Sequence, residues 1–507
     1  MKTPPKIYSI ELCGLDGYLV QIEADKRRNL PAFVIVGLPD PAVKEARERV
    51  HSAIKNSGFP FPRGKTIVNL APADLKKAGP RYDLPIAIGI IALFDVIPTE
   101  ELENTIIIGE LALDGSVRPI NGILSTVEFA KKKGFKKIIV PAKNAGEAAL
   151  ISDIAIIPVR TLKEAIQHLS GELCPIPPTR SIVADRCQIE VDMANIKGQA
   201  QAKRALEIAA AGGHNLLFNG APGAGKTLMA KALPGILPTM TEEEMLEVTK
   251  IYSICGLLPG SQPLITKRPF RSIHQTASAV SIVGGGNMPM PGEISLAHRG
   301  VLFMDEIAEF PKVVLEVLRQ PMENQIITIS RARGSLTYPA QFILIAAMNP
   351  CPCGYLNSEK TDKICTCSAY QIQNYQKRLS GPLLDRIDIH LNISPVKHDE
   401  LTNDTKAESS EVIQKRIQKA ADIQKRRLQH TVYTKNGEMD SEWTKKYCVP
   451  NIEGLQLLKC AIQEMGLSAR GYYRILKLAR TIADLEEKEN IETAHIAEAL
   501  QYRNKTT

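Results

Sequence analysis

LLFNGAPGAGKTL, residues 216–228, decides how this chain is read. Leu216, Leu217 and Phe218 form an apolar run of the length of a buried strand, and Gly220 to Thr227 follow the spacing GxxxxGKT before a helical segment opens. A phosphate cradle needs that order of strand, turn and helix. The loop runs Gly220, Ala221, Pro222, Gly223, Ala224, Gly225, and its glycines let the backbone turn with N–H groups pointing inward. The N-terminus of the following helix adds partial positive charge that suits an anion. Lys226 then reaches the terminal phosphates, and the Thr227 hydroxyl takes a place on Mg²⁺. A glycine-rich turn that matches by chance is the competing reading, and the full pattern between strand and helix disfavours it.

A second half of a nucleotide site follows about 80 residues later. GVLFMDEI, residues 300–307, is an apolar strand ending in two carboxylates. Asp305 can hold Mg²⁺ through water, while Glu306 is placed to orient and polarise an attacking water. Phe342 to Ala347 read as another buried strand, and Asn349 just beyond it can touch a γ-phosphate or the water. RLSGPLLDRIDIHLNI, residues 378–393, brings Arg378 and Arg386. An arginine just after LLD reaches its own chain's phosphates poorly. In a ring it can project into the neighbour's site and stabilise the transferred phosphoryl group, so Arg386 is the expected finger and Arg378 the lesser candidate. ATP and Mg²⁺ are the cofactors this set implies.

Four of the ten cysteines cluster as Cys351, Cys353, Cys365 and Cys367, two C-x-C pairs with eleven residues between them. Four thiolates satisfy tetrahedral Zn²⁺, and the hydrophilic loop between them has little other means of staying folded, so a structural zinc is expected; free or redox-active cysteines are the alternative. Two stretches carry positive charge. Arg331 and Arg333 stand at the tip of a hairpin-like alternation around residues 326–340, where they either follow a DNA backbone or decorate a solvated turn. Glu411 to His430 reads as a helix with Ile413, Ile417, Ala420 and Ile423 on one side and Lys415, Arg416, Lys419, Lys425, Arg426 and Arg427 on the other, a face that is more often solvated than bound to DNA.

The chain of 507 residues exceeds one ordinary core, and 44% apolar with 23% charged residues describes soluble globular protein. Lys and Arg outnumber Asp and Glu by 63 to 55, which permits a nucleic-acid partner without arguing for one. MKTPPKIYSIEL lacks the apolar core of a signal peptide and no run is long enough to span a bilayer, so a cytoplasmic protein without a membrane partner is expected. Residues 1–170 mix strand-like runs (Gly17 to Glu23, Ala32 to Val36, Thr66 to Leu70, Thr105 to Ile108, Lys137 to Val140) with helical ones (Pro41 to Asn56, Thr126 to Gly134), the pattern of an α+β domain. GELCPIPPTRSIVADRC makes residues 171–188 a Pro-rich linker. Residues 189–395 then form the nucleotide core and 396–507 a helical lid.

Within the first domain, LAPADLKKAGPRYDLPIAIGI from Leu70 and the stretch from Gly109 through NGILS resemble the proteolytic domain of the Lon family. That family uses a Ser–Lys pair. Arg81 or Tyr82, and Leu124, stand at the corresponding places, which implies a retained fold without peptidase activity, with Ser125 one residue away. Ile196 and Gly198 resemble the segment of AAA+ proteins that touches adenine, Asn349 matches their sensor-1 position, and Arg470, in LSARGYYRILKLARTIADL, matches their sensor-2 position. VGLPD, GAPGAGKT, PGEISLAHRGVLFMDE, NPCPCG and SGPLLDRIDIH together resemble the YifB/ComM family of magnesium-chelatase-like AAA+ proteins over nearly the whole chain. The resemblance implies an α/β P-loop AAA+ module, a parallel sheet with helices and an all-α lid, preceded by a Lon-protease-like α+β domain. It also implies a hexameric homo-oligomeric ring that translocates on single-stranded or branched DNA and promotes branch migration when transforming DNA is integrated by homologous recombination. A chelatase-like motor that remodels a protein partner is the alternative, and an ATP-switched regulatory scaffold is a further one.

Overall fold

The computed structural model describes residues 4–503 except 29, 39, 175, 179–189, 260–261, 287–288, 332–333, 357–363 and 397–406; for residues 41, 42, 44, 331 and 334 it describes the backbone alone. The chain forms two compact units, one of residues 1–184 with 245–265 and one of residues 185–244 with 266–507. Residues 245–265 fall within the 189–395 span that the sequence assigns to the nucleotide core, yet their packing belongs to the first unit.

The first unit is built on a seven-stranded mixed sheet of β1 (Lys6–Cys13), β2 (Asp16–Arg27), β3 (Ala32–Val36), β4 (Lys65–Ala71), β5 (Thr105–Ile107), β6 (Lys137–Pro141) and β7 (Ala155–Val159), in the order β3-β4-β2-β1-β5-β6-β7. β2 runs antiparallel to both β1 and β4, and the β5-β6-β7 side is parallel. Strict alternation explains β4, where Thr66, Val68 and Leu70 are buried and their neighbours are not. Helix Asp83–Ala92 shows no such periodicity because all ten of its residues are buried. The buried Asp83 is satisfied by the Arg49 guanidinium at 2.8 and 3.1 Å and by the Leu111 N–H, yet burial still pushes its pKa up to about 6.

The 245–265 segment is tied into this unit by specific bonds. Leu264, Leu124 and Leu150 share a small apolar cluster with Met245 and Leu246 at its edge. The Gly122 N–H donates to Ser253 Oγ at 3.1 Å, Ser253 Oγ donates to the buried Glu147, and Lys250 pairs with Glu128 at 2.7 Å. Gly256 lies so close to Asn121 that an added Cβ would come within 2.7 Å of its amide nitrogen.

The second unit carries a five-stranded sheet of β8 (Leu216–Gly220), β9 (Phe270–Ile273), β10 (Val301–Met304), β13 (Ile343–Met348) and β14 (Ile389–Ile393), with a separate hairpin of β11 (Ile326–Arg331) and β12 (Gly334–Pro339). The order is β9-β10-β13-β8-β14 and every pairing is parallel. Covering on both faces demands unbroken apolar strands, and β10 and β13 are buried at every position. β8 lies between β13 and β14, so the order of connections reverses on either side of it and opens a crevice at its carboxyl end, where ligands of open α/β sheets bind. Helices Ala200–Gly212, Ser410–Leu428 and Ala469–Leu485 share one apolar core with this sheet. Among the described residues no helix is long and apolar enough to cross a membrane.

The basic helix Ser410–Leu428 buries Ile413, Ile417, Ala420, Gln424 and Leu428, with Ile423 only partly covered. Much of its charge is spent internally. Arg416 clasps Glu408 through two bonds of 3.0 Å and also meets Glu207, Lys419 reaches Glu487 at 2.8 Å, and Arg427 reaches Asp484 at 2.9 Å. Lys425 and Arg426 remain exposed on the same helix.

Candidate nucleotide site and cysteine cluster

The phosphate loop follows β8 directly. An added Cβ on Gly220 would come within 2.3 Å of the Ile393 carbonyl oxygen, so only glycine lets the loop leave the sheet so close to β14. Gly223 and Gly225 have φ of 79° and 86°, left-handed backbone that Gly225 uses to open helix Lys226–Ala232. The Lys226 side chain is buried. Its ammonium donates to the carbonyls of Gly220 and Ala221, the latter at 3.3 Å, and to Asn349 Oδ1 at 2.8 Å. Burial lowers its pKa, while Asp305 and Glu306 nearby act in the opposite direction. Asn349, just past the end of β13, is thereby joined to the loop whose strand is hydrogen-bonded to its own.

The carboxylates come from β10. Thr227 Oγ1 donates to Asp305 Oδ2 at 2.9 Å, and Asp305 Oδ1 accepts the Glu306 N–H at 3.0 Å. A hydroxyl and a carboxylate of the kind that hold Mg²⁺ already meet, and a buried ammonium stands beside them, so these residues fit a magnesium–triphosphate group. Glu306 has φ of 49°, which costs an L-residue roughly 1–2 kcal/mol. Its side chain is exposed.

Arg386 and Arg470 lie elsewhere. Both donate to the same oxygen of Glu323, Arg470 at 2.7 Å and Arg386 closer still. Glu323 belongs to helix Arg319–Asn324, which leads into the β11–β12 hairpin, and no motif marked it. Arg378 pairs with Glu309. The expected DNA contacts fall at the hairpin tip: Arg333 and the Arg331 side chain lie outside the described residues. In the first unit, the Arg81 guanidinium donates to the carbonyls of Ile10 and Asn121 at 3.2 and 3.1 Å, Tyr82 donates to Glu11, Leu124 is buried, and the Ser125 hydroxyl is buried without a hydrogen-bond partner. Arginine and tyrosine at the first place and leucine at the second are not the nucleophile and base of a Ser–Lys pair.

The four cysteines converge. The sulfurs of Cys351, Cys353, Cys365 and Cys367 all lie within 4.8 Å of one another, with Cys351–Cys353 at 3.4 Å and Cys353–Cys365 at 3.5 Å. Tetrahedral zinc with bonds of about 2.3 Å spaces its sulfurs about 3.8 Å apart, so the cluster fits that ion. It also abuts the phosphate loop: an added Cβ on Gly354 would come within 2.7 Å of Pro222 Cδ and 3.9 Å of Asn349 Cγ.

A phosphate loop at the switch point of a parallel sheet, an Asn ending the adjacent strand, an Asp–Glu pair ending the strand beyond that one and a helical lid define an AAA+ module of the magnesium-chelatase class. Three sequence families match, described as magnesium chelatase subunit ChlI at residues 192–401, subunit ChlI of Mg-chelatase at residues 22–144, and the subunit ChlI C-terminal region at residues 407–503. The chain is 41% identical to competence protein ComM of Haemophilus influenzae, covering 98% of this chain and 97% of that one. It is 42% identical to protein YifB of Salmonella typhimurium, covering 97% and 95%. A shorter stretch of 111 residues is 35% identical to Lon protease 2 of Bacillus subtilis, 21% of this chain and 19% of that protein. The chain belongs to the YifB/ComM family of magnesium-chelatase-like AAA+ proteins. That family implies ATP and Mg²⁺ at the loop described above.

Proposed function

We propose that the protein is a ring-forming ATPase that moves on single-stranded or branched DNA and promotes branch migration during integration of transforming DNA. The observation that carries the ATPase part is the two hydrogen-bonded pairs that start from adjacent residues of the phosphate loop, Lys226 with Asn349 and Thr227 with Asp305, with Glu306 next to Asp305. Lys226 and the loop N–H groups bind the triphosphate, Thr227 and Asp305 hold Mg²⁺, and Glu306 with Asn349 positions the attacking water. When bound, the metal would neutralise part of the triphosphate's charge. Arg386 serves a neighbouring subunit, because its guanidinium is engaged with Glu323 and not with its own phosphate loop. A homohexamer is the assembly this reading expects. The DNA part is supported by the near full-length likeness to a protein named for competence and by the mild basic excess.

The test is ATP hydrolysis with and without single-stranded or forked DNA, together with movement of a four-way junction. Stimulation by DNA and junction movement are expected; neither occurring would leave the chelatase-like reading, which the family matches at residues 192–401 and 407–503 also favour. In that case a partner protein, not DNA, stimulates turnover. An ATP-switched scaffold would bind ATP with no turnover under either condition.

We also assign zinc to the cysteine cluster, with a structural role because all four positions are filled by protein. Metal analysis of gently purified protein should find one zinc per chain at roughly stoichiometric level. Cys353→Ser should lose it and raise the KM for ATP more than it lowers kcat, since Gly354 packs on Pro222 of the phosphate loop. Protein free of zinc with unaltered ATP affinity would refute the assignment.

A further inference from the structure

Arg386 and Arg470 come from different elements, the first just after the short helix Gly381–Leu384 and the second in the opening turn of helix Ala469–Leu485. They converge on a single oxygen of Glu323, with 2.7 Å from Arg470. Two guanidinium forks on one carboxylate oxygen leave the charge unbalanced and donors unfilled. The third arginine of the group, Arg474, is paired with Asp388 at 3.2 Å and still adds its charge to the field that acts on Glu323. The Arg386 side chain is only 10% exposed, and its Nε is buried with no acceptor. These residues face a cavity of about 610 Å³ that Lys435 also lines, a lysine whose pKa is pushed down to about 8 by burial and by Arg268 and Arg299. The cavity wall therefore holds more positive charge and more donor capacity than its carboxylates answer.

We propose that Glu323 occupies, in the unassembled chain, the position that a phosphate oxygen of the adjoining subunit's triphosphate takes in the ring, and that assembly with ATP exchanges the carboxylate for that phosphate. The inference rests on the reading of Arg386 as an arginine donated to a neighbour. A terminal phosphate presents several anionic oxygens in a tetrahedral array and can take paired N–H donors from two guanidinium forks at once, whereas the Glu323 oxygen takes a single N–H from each. The exchange is sterically open because the Glu323 side chain is 40% exposed while Arg386 is held in place. Electrostatically it is favourable, since the arginines that hold Glu323 well on its ionised side attract any stronger anion more. Glu323 is a positioning residue: it keeps both arginines extended toward the cavity and competes with the nucleotide for them.

The experiment uses the full chain with Glu323→Gln and Glu323→Asp. Ring assembly is followed by light scattering across ATP concentration, and hydrolysis across ATP and protein concentration. Glu323→Gln should lower the ATP concentration for half-maximal assembly and the apparent KM about two- to fivefold, the size that one half-exposed ion pair permits, with kcat little changed. Glu323→Asp, which keeps a competing carboxylate, should stay near the parent chain, and the gain from Glu323→Gln should vanish when Arg386→Ala is added. An unchanged or weaker assembly in Glu323→Gln, alongside a lowered melting temperature, would show an ordinary structural ion pair and overturn the proposal. An effect already present in dilute unassembled chains, or reproduced by inorganic phosphate alone, would overturn the assignment to a neighbour's nucleotide. If Arg386→Ala by itself hydrolyses ATP at the parent rate, the donated-arginine reading fails, and that outcome is read without touching Glu323.

Discussion

Replacing Arg386 by Ala should lower ATP turnover by about 10³-fold while leaving nucleotide binding by the isolated chain nearly unchanged. The size follows from what a guanidinium does at a transferring phosphoryl group, where charge develops on oxygens in a site from which water is excluded. The separation from binding follows from placement: Lys226, Thr227 and Asp305 are bonded within the phosphate-loop site proposed for the triphosphate, and Arg386 is bonded to Glu323 instead. Complementation distinguishes a donated arginine from one that merely supports its own fold. Arg386→Ala keeps an intact phosphate loop, Lys226→Ala keeps an intact arginine, and a ring containing both has some interfaces with every part. Mixing the two inactive chains should restore turnover. A mixture no more active than its components would overturn the reading of Arg386 as an arginine donated to a neighbour.

Glu306→Gln is expected to trap ATP. Glutamine keeps the length and hydrogen-bonding reach of the side chain and loses its capacity to draw a proton from water, a change that costs about 10²–10⁴ in rate when the carboxylate acts on the nucleophile. Binding should survive, because the bonds that hold the site together run through Lys226, Thr227, Asp305 and Asn349. Phosphate release measured beside nucleotide retained on gel filtration checks both halves. Turnover that persists in the variant would remove Glu306 from the role. The left-handed backbone at Glu306 sits where the strand ends and the turn Ile307–Glu309 begins.

The parts of the site that sequence made legible are the ones whose spacing is set by local geometry. A phosphate loop, a strand ending in Asp305 and Glu306, and two C-x-C pairs each solve a problem within a few residues, so each leaves a pattern. Strands β3, β4 and β6 were readable for the same reason, through alternation or apolar runs bounded by turns. Helix Asp83–Ala92 was not, because a segment buried on all sides has no periodic contrast to display. Glu323 left no trace either. Its importance comes from Arg386, 63 positions away, and from Arg470, 147 positions away, and a lone glutamate in PMENQ carries no sign of either. Arg470 illustrates the limit of motif matching: its position in the chain resembles a known sensor, but which phosphate it serves depends on where helix Ala469–Leu485 begins relative to the sheet. The basic helix shows a second limit, since its row of positive residues is plain in the sequence while the partners Glu207, Glu408, Glu487 and Asp484 are invisible until the chain folds.

The grafting of residues 245–265 onto the first unit changes what can be cut. A truncation that begins in the Pro-rich linker removes the Lon-like domain but leaves its borrowed segment behind, with Leu246 and Leu264 deprived of Leu124 and Leu150, and Ser253 deprived of Glu147. Conversely, the first domain expressed alone lacks a piece of its own core. Swapping this domain for another by a single exchange at the linker is closed to evolution for the same reason, since a second and a third joint would have to move with it. The chain is partitioned like two garments sewn from one thread, separable only by unpicking both.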